Sequence, residues 1–170
     1  MATVTLKGNP CELVGNEVNV GDNAPKVIVV KSEDLSEITV GGAKDKAQLI
    51  VAVPSLDTPV CALETTKFNN QVAAIKGLEV IVVSMDLPFA AKRFCSTEGI
   101  ENLTVGSDFR NKDFAEAYGV LIANGPLAGV MARCIFVIDK EGKITYKQLV
   151  PEITDEPNYE EALSAAKVAV

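Results

Sequence analysis

The chain has 170 residues, the length of one ordinary domain, and 48% of them are hydrophobic, which is enough for a sizeable buried core. Its net charge of −7 provides no basic face for phosphates, so nucleic acid is excluded as an expected partner. Histidine is absent, which removes Ser-His-Asp and Cys-His nucleophile pairs and the commonest ligand of zinc, copper and iron. We therefore expect a single domain over residues 1–170, with no metal ion and no cofactor.

The chain shows no signal for export or for a membrane. Its beginning has no apolar stretch of signal-peptide length, and no segment approaches the ~18 consecutive apolar residues of a membrane span. We expect a cytoplasmic protein, and in that compartment disulfides are usually transient and catalytic or sensory. The chain has four cysteines, which we expect to be thiols: Cys11, Cys61, Cys95 and Cys134. None of them forms a C-x-x-C pair, which is typical of zinc knuckles and thioredoxin-type dithiols.

The N-terminal part of the chain is predicted to form a peripheral hairpin followed by two short strands. Short alternating apolar runs on either side of Gly15 and Asn16 predict a hairpin over about residues 3–20, with its turn at this pair. Apolar runs at residues 26–31 and 35–40 predict the two further strands.

The middle of the chain is predicted to form a βαβ unit. Residues 49–53 are continuously apolar, which is typical of a strand covered on both faces. Apolar residues at helical spacing predict a helix over residues 62–76 that stops at Gly77. Residues 78–84 form a second apolar run, so we expect two parallel strands joined by the helix.

The remaining elements complete an α/β pattern. In order, the sequence predicts a helix at 88–98, a strand at 102–105, a helix at 113–118, a loop at 122–129, antiparallel strands at 133–138 and 144–150, and a closing helix at 158–168. The order βαβ, βα, ββα indicates an α/β fold close to the thioredoxin-like arrangement. In that arrangement a central mixed sheet is flanked by helices, here with the N-terminal β-hairpin added.

The octet from Pro54 to Cys61, with the sequence Pro-Ser-Leu-Asp-Thr-Pro-Val-Cys, lies where the first long strand turns into the helix. Threonine is a favoured residue at a helix N-cap and proline at the first helical position, so we expect Thr58 and Pro59 to occupy these positions. Cys61 is then the third residue of the helix. Unpaired backbone N–H groups and the helix dipole favour a thiolate at such a position. The sequence thus indicates a nucleophile, although a small buried hydrophobic residue at a helix start is the common alternative.

Without histidine, a thiolate needs a fixed cation, and Arg133 is the best placed one. It begins an otherwise apolar strand, where a charge is costly unless it is paired or faces a cleft. Its fork of donors would stabilise the sulfur and bind an incoming oxygen. The alternative is a solvated residue at a strand end.

The other polar residues near the octet receive simpler interpretations. The Thr58 hydroxyl is predicted to cap the helix, with a contact to the sulfur or to a substrate oxygen as a second role. Pro54 is expected to stiffen the loop and shield the sulfur from water. Glu64 is predicted to be a solvated acid that favours the helix dipole. Cys11 and Cys134 are expected to be packing residues.

Several blocks of this sequence resemble one known family. The pattern Pro-x-x-x-Thr-x-x-Cys at residues 54–61 resembles the peroxidatic motif of the peroxiredoxins, and together with Phe68-Asn69 it is similar to the thiol peroxidase group, which is of the atypical 2-Cys type. Further matching blocks lie at residues 84–90, 92–95, 98–102, 107–110 and 125–129, the last leading into Ala132-Arg133. The resemblance extends over nearly the whole chain, including the hairpin.

The resemblance implies a thiol-dependent peroxidase that reduces hydrogen peroxide and organic hydroperoxides. Carried over by position, it implies that Cys61 is the peroxidatic cysteine and Cys95 the resolving cysteine, joined in an intramolecular disulfide during turnover. It implies that Thr58, Pro54 and Arg133 form the supporting pocket. The expected reductant is thioredoxin, and the expected assembly is a homodimer.

Two other classes of function stay open at this stage. A redox sensor or regulatory binding protein would use the same thiol switch to change a partner surface, whereas a plain structural domain would hold an unreactive Cys61. The preferred hydroperoxide also stays open, because the apolar loop at residues 126–128 fits either a pocket for acyl chains or a part of the core.

Overall fold

The structure, a computed structural model, describes residues 2–170. The ten strands found there are β1 (Thr3–Leu6), β2 (Asn9–Val14), β3 (Val27–Lys31), β4 (Glu37–Val40), β5 (Ala47–Ala52), β6 (Leu78–Ser84), β7 (Thr104–Ser107), β8 (Leu121–Ile122), β9 (Cys134–Ile138) and β10 (Ile144–Leu149). The helices of the same residues are α1 (Pro59–Val72), α2 (Pro88–Glu98), α3 (Asp113–Ala117) and α4 (Tyr159–Ala169).

A seven-stranded mixed sheet forms the centre, in the order β10-β9-β5-β6-β7-β3-β4. Strand β5 is parallel to β6, as predicted, and β6 is parallel to β7. Strand β9 is antiparallel to both β5 and β10. Strands β1, β2 and β8 form a separate small sheet.

Alternating side chains of the central strands face two different apolar layers. In β5, Leu49 and Val51 pack in the layer with α1, α2 and α4, whereas Ile50 and Ala52 pack in the layer with α3. All of these side chains are buried. A period of two along a strand covered on both sides explains the uninterrupted apolar run in the sequence.

The N-terminal hairpin exists, but its predicted turn is wrong. Strands β1 and β2 pair with Leu6 opposite Asn9, so the turn is formed by Lys7 and Gly8, both with positive φ. Gly15 instead follows β2 with φ +110°, and a Cβ placed there would lie 2.4 Å from the Glu116 carbonyl oxygen. Glycine is needed at that position for a close backbone approach, which from sequence alone resembles a turn signal.

Several element boundaries also differ from prediction. Helix α1 ends at Val72, before the predicted stop. Strand β7 starts two residues later than predicted, because Thr104 is the first residue in register with β6. Part of the predicted loop at 122–129 belongs to β8, which pairs with β2. None of the helices within residues 2–170 is long and apolar enough to cross a membrane.

Candidate active site

The loop between β5 and α1 is held by a carboxylate that follows the neighbouring strand. Because β5 and β6 are parallel, the segments after both strands meet at the same sheet edge. There Asp86 accepts hydrogen bonds from the Ser55 hydroxyl at 2.7 Å and from the Leu56 backbone N–H at 2.7 Å. The Ser84 hydroxyl also donates to Asp86, at 2.7 Å. These bonds fix the loop that leads into α1.

Helix α1 begins at Pro59, so Cys61 occupies the third helical position, as its sequence indicated. Cys61 is fully buried, and Pro54 is buried at the start of the loop. The predicted capping role of Thr58 is wrong. Thr58 occupies the N-cap position, but its hydroxyl donates to the Ser55 carbonyl at 2.9 Å and accepts nothing from the helix. The hydroxyl thus closes the loop instead of capping the helix.

The guanidinium of Arg133 lies against the Cys61 sulfur. Its Nη1 donates to Cys61 Sγ at 3.3 Å, and the arginine side chain is 2% exposed. Arg133 directly precedes β9 and continues the alternation of Ile135 and Val137, which places it on the sheet face that carries α1. The structure therefore brings Arg133 and Cys61 together.

Glu64 is a part of this site that sequence reasoning missed. The prediction of a solvated acid is wrong, since the side chain is fully buried and its Oε2 lies 2.6 Å from Arg133 Nη1. The physical reason is helical spacing: position i+3 puts Glu64 on the same buried face as Cys61. One guanidinium nitrogen thus serves both the sulfur and the carboxylate.

The rest of the guanidinium is held by a backbone carbonyl. Both Arg133 Nε and Nη2 donate to the Ile153 oxygen, at 3.3 Å and 2.8 Å. The plane of the guanidinium is therefore fixed from two sides, by the Ile153 carbonyl and by the pair of Cys61 and Glu64.

Burial shifts the pKa values of the ionisable groups in this site. It raises the pKa of Glu64 to about 7, although the Arg133 guanidinium opposes this shift. Burial acts to lower the pKa of Arg133, but Glu64 and Cys61 together raise it, so the arginine stays charged. Among the described residues Glu64 Oε1 has no hydrogen-bond partner. An unpaired buried acceptor of this kind costs about 1–3 kcal/mol, and such costs are typical of functional sites.

Cys95 lies on α2, in the same apolar layer as Cys61, and is half-buried. Its backbone carbonyl accepts hydrogen bonds from Gly99 and Ile100, which end the helix with Gly99 in the left-handed conformation. Burial raises the pKa of the Cys95 thiol. Cys61 and Cys95 are both free thiols in this structure.

The other two cysteines lie in different layers. Cys134 follows Arg133 but points to the opposite face of the sheet, into the layer with α3, and burial raises the pKa of its thiol to about 12. Cys11, on β2, packs in a third apolar cluster, which the small sheet forms with Ala132 and Ile153. Neither belongs to the layer that holds Cys61.

A buried asparagine links the two helices that carry Cys61 and Cys95. Asn69 Oδ1, on α1, accepts hydrogen bonds from the backbone N–H groups of Glu101 and Asn102, at 3.0 and 2.8 Å. The Asn102 side chain donates in return to the Asn69 carbonyl at 2.9 Å. The segment that follows α2 is thus attached to α1 through polar contacts.

Comparisons with known proteins agree with this arrangement. A family model described as Redoxin matches residues 19–163. The thiol peroxidase of Aquifex aeolicus is 61% identical over 165 residues, which cover 97% of this chain and 96% of that protein. The thiol peroxidase of Campylobacter jejuni is 61% identical over 158 residues, covering 93% of this chain and 89% of that protein.

Solved structures extend the comparison. The crystal structure of a peroxiredoxin-like protein from Aquifex aeolicus has a TM-score of 0.97 and 59% identity, covering 100% of this chain and 98% of that chain. The structure of Mycobacterium tuberculosis AhpC has a TM-score of 0.72 at 21% identity, covering 90% of this chain and 93% of that chain, and shows the likeness of the fold alone.

A mixed sheet with a buried cysteine at the start of the helix that follows one of its inner strands, β5, defines a thioredoxin-like protein of the redoxin class, and the predicted fold class is confirmed. Within that class, the chain belongs to the thiol peroxidase family of peroxiredoxins. It is therefore an enzyme, a peroxiredoxin-type peroxidase.

Proposed function

We propose that Cys61 reduces hydrogen peroxide and organic hydroperoxides, that Cys95 then forms an intramolecular disulfide with it, and that thioredoxin reduces this disulfide. The observation that carries the proposal is the 3.3 Å hydrogen bond from Arg133 to the Cys61 sulfur in a buried pocket. A fixed positive charge at this distance stabilises a thiolate and offsets the cost of burying it.

The first step is attack of the Cys61 thiolate on one peroxide oxygen. The S–O bond forms and the O–O bond breaks, so the sulfur is oxidised to sulfenic acid, and the leaving oxygen takes a proton and departs as water or an alcohol. Arg133 and the backbone N–H groups of the first turn of α1 stabilise charge on the leaving oxygen. The Thr58 hydroxyl, which donates to Ser55, keeps lone pairs free to accept from the peroxide. Pro54 keeps water from the sulfur.

The second step is attack of the Cys95 thiolate on the sulfenic sulfur. The S–S bond forms, and the hydroxyl group leaves as water after it takes a proton. Cysteines in a disulfide have Cα atoms less than about 7 Å apart. Because Cys61 lies in the first turn of α1 and Cys95 in the last turns of α2, local unwinding accompanies each cycle.

We further propose a cytoplasmic homodimer. Leu87 and Phe89 at the start of α2 and Phe109 after β7 are large apolar side chains, between 47% and 69% exposed. The two segments are adjacent, since the Ser107 hydroxyl donates to the Asp86 carbonyl at 2.5 Å. A second copy of the chain would cover these side chains. Sedimentation of the wild type and of Phe89→Glu tests this, and a wild type that is monomeric at micromolar concentration contradicts it.

The experiment that tests the proposed function is a peroxidase assay coupled to thioredoxin and its reductase. Hydrogen peroxide and tert-butyl hydroperoxide are compared as substrates, and we expect repeated turnover with both. Disappearance of only one equivalent of peroxide per chain, with thioredoxin in excess, would contradict recycling and favour a redox sensor.

A further inference from the structure

The N-terminal hairpin is bonded to the segment that follows β10. The Thr5 backbone N–H donates to the Pro151 carbonyl at 2.7 Å, and the Ile153 N–H donates to the Thr5 carbonyl at 2.8 Å. These two bonds flank Glu152, which pairs with Thr5 in an isolated parallel bridge. Strand β1 therefore fixes the backbone on both sides of Glu152.

The Glu152 carboxylate stabilises this contact through further hydrogen bonds, and we call this set of bonds the Glu152 clamp. It accepts hydrogen bonds from the Thr5 hydroxyl at 2.9 Å and from the backbone N–H groups of Lys7 and Gly8 in the hairpin turn, at 3.1 and 2.9 Å. It also accepts from the Thr154 N–H at 3.0 Å and the Thr154 hydroxyl at 2.8 Å. The backbone bonds from Thr154 and Gly8 lower the pKa of Glu152 to about 2, so the clamp is charged at neutral pH.

The next residue, Ile153, connects this clamp to the candidate active site. Its side chain is buried in the apolar cluster beneath the hairpin, among Val4, Leu13 and Ala132. Its backbone carbonyl accepts the hydrogen bonds from Arg133 Nε and Nη2. The position of that oxygen sets the plane of the guanidinium that donates to Cys61.

We infer that Glu152 is a positioning residue for the Cys61 site, acting through the Ile153 carbonyl and the Arg133 guanidinium. The hairpin thereby gains a role in the chemistry that its peripheral place does not suggest. Arginine is the group that needs this support, because its planar fork stabilises the sulfur only in one orientation. The inference deepens the proposed function and rests on it for the peroxide reaction.

The test replaces Glu152 by alanine and by glutamine, with Glu12→Gln as the matched control. Glu12 is an exposed glutamate on the same hairpin. Peptide mass spectrometry follows the rates of two reactions of the Cys61 thiol, its oxidation by hydrogen peroxide and its alkylation by iodoacetamide. We expect Glu152→Ala to slow both reactions about tenfold, Glu152→Gln to slow them less, and Glu12→Gln to match the wild type.

A double-mutant cycle with Arg133→Lys separates positioning from loss of stability. Lysine cannot hold the Ile153 carbonyl with a rigid fork, so Glu152→Ala should have no further effect in that background. Full additivity of the two substitutions, or a Glu152→Ala variant that reacts like the wild type, would overturn the inference. Urea unfolding is measured in parallel, and Thr154→Val, which removes one donor to the carboxylate, replaces any Glu152 variant that fails to fold.

The two readouts distinguish failure of the inference from failure of the proposed function. Alkylation of Cys61 does not require peroxidase turnover. If the wild type does not turn over peroxide but Glu152→Ala still slows alkylation through Arg133, the proposed function is wrong and the positioning role stands. If the wild type turns over and the Glu152 variants alkylate normally, the positioning role is wrong.

Discussion

The helices that carry the two proposed redox cysteines are held in the fold very differently. Six of the 14 residues of α1 are buried, including Phe68, Asn69 and Val72 beyond Cys61. Only Ala91 is buried among the 11 residues of α2. Burial is the main source of helix stability in proteins, so α2 should open at a lower free-energy cost than the body of α1.

The polar contacts deepen this difference. Helix α1 is attached to the C-terminal segment through Lys67, whose Nζ lies 3.0 Å from Glu156 and 5.0 Å from the centre of the Tyr159 ring. Asn69 ties α1 only to the residues that follow α2. The start of α1 has no side-chain cap. A movement that brings Cys95 to Cys61 is therefore expected to unfold the first turn of α1 and most of α2. The middle of α1, around Lys67 and Asn69, is expected to stay anchored.

The largest effect is expected from the buried cysteine. Cys61→Ser should abolish even the first reaction with peroxide, because a hydroxyl lacks the nucleophilicity of a thiolate. Stopped-flow mixing of the reduced variant with one equivalent of hydrogen peroxide checks this. Residual oxidation at the wild-type rate, with Cys95 as the oxidised residue, would reverse the roles assigned to the two helices.

Substitution on the looser helix should have a different signature. Cys95→Ser should leave the first oxidation within about twofold of the wild-type rate but abolish turnover with thioredoxin, since no disulfide can form. Cys11→Ser is the matched control, because Cys11 lies in another apolar cluster. Sustained turnover of Cys95→Ser would show that α2 plays no part in resolution.

The same contrast shows what sequence can and cannot reveal. The βαβ unit and the position of Cys61 follow from uninterrupted apolar runs and a Thr-Pro helix start, which are local signals. The burial of Glu64 is not predicted from the sequence, because a helical pattern of apolar residues identifies the buried face only by its apolar positions and leaves charged residues assigned to the surface. Its burial was in principle foreseeable, since a buried Arg133 needs a counter-charge and Glu64 lies one turn beyond Cys61 on the same face.

Other parts of the site carry no recognisable sequence signal. The Ile153 carbonyl is a backbone group, and any residue at that position would supply it. The hydrogen bonds by which Asp86 holds the loop before α1 are not predicted either. The sequence indicates only a polar residue at the carboxyl end of the strand next to β5. The hairpin turn was misplaced because glycine serves both turns and close backbone approaches, and the sequence does not distinguish the two uses.

A smaller effect, on stability, should report the buried charge beside Cys61. Because the pKa of Glu64 is raised to about 7, the folded state binds more protons than the unfolded state between pH 4.5 and 7. The contribution of Glu64 to the free energy of unfolding therefore falls as pH rises through this window, by up to about 3 kcal/mol.

Glu64→Gln should remove that slope. Urea unfolding of both proteins at several pH values gives the difference between them, in which the other titrating groups cancel. We expect the wild type to lose stability relative to Glu64→Gln as pH rises from 4.5 to 7. Glu160→Gln, at an exposed glutamate on α4, is the control. A wild type that gains stability relative to Glu64→Gln over this range would mean that Arg133 dominates and keeps the carboxyl ionised.

The smallest effect is expected where the two helices are joined. Asn69→Ala removes the acceptor of the Glu101 and Asn102 N–H groups, but both residues are exposed, so water can replace it. We expect a loss of about 1–2 kcal/mol in the free energy of unfolding, together with faster amide hydrogen exchange at residues 99–102. Asn70→Ala, an exposed neighbour on the same helix, is the control.

This variant also tests whether the anchored middle of α1 controls resolution. If Asn69 holds the end of α2 in place during the cycle, its loss frees Cys95, and the rate of disulfide formation after oxidation of Cys61 should rise in a rapid-quench measurement while the first oxidation stays unchanged. An unchanged rate of disulfide formation, alongside faster exchange at residues 99–102, would mean that α2 opens on its own. The limiting movement would then lie in the uncapped first turn of α1.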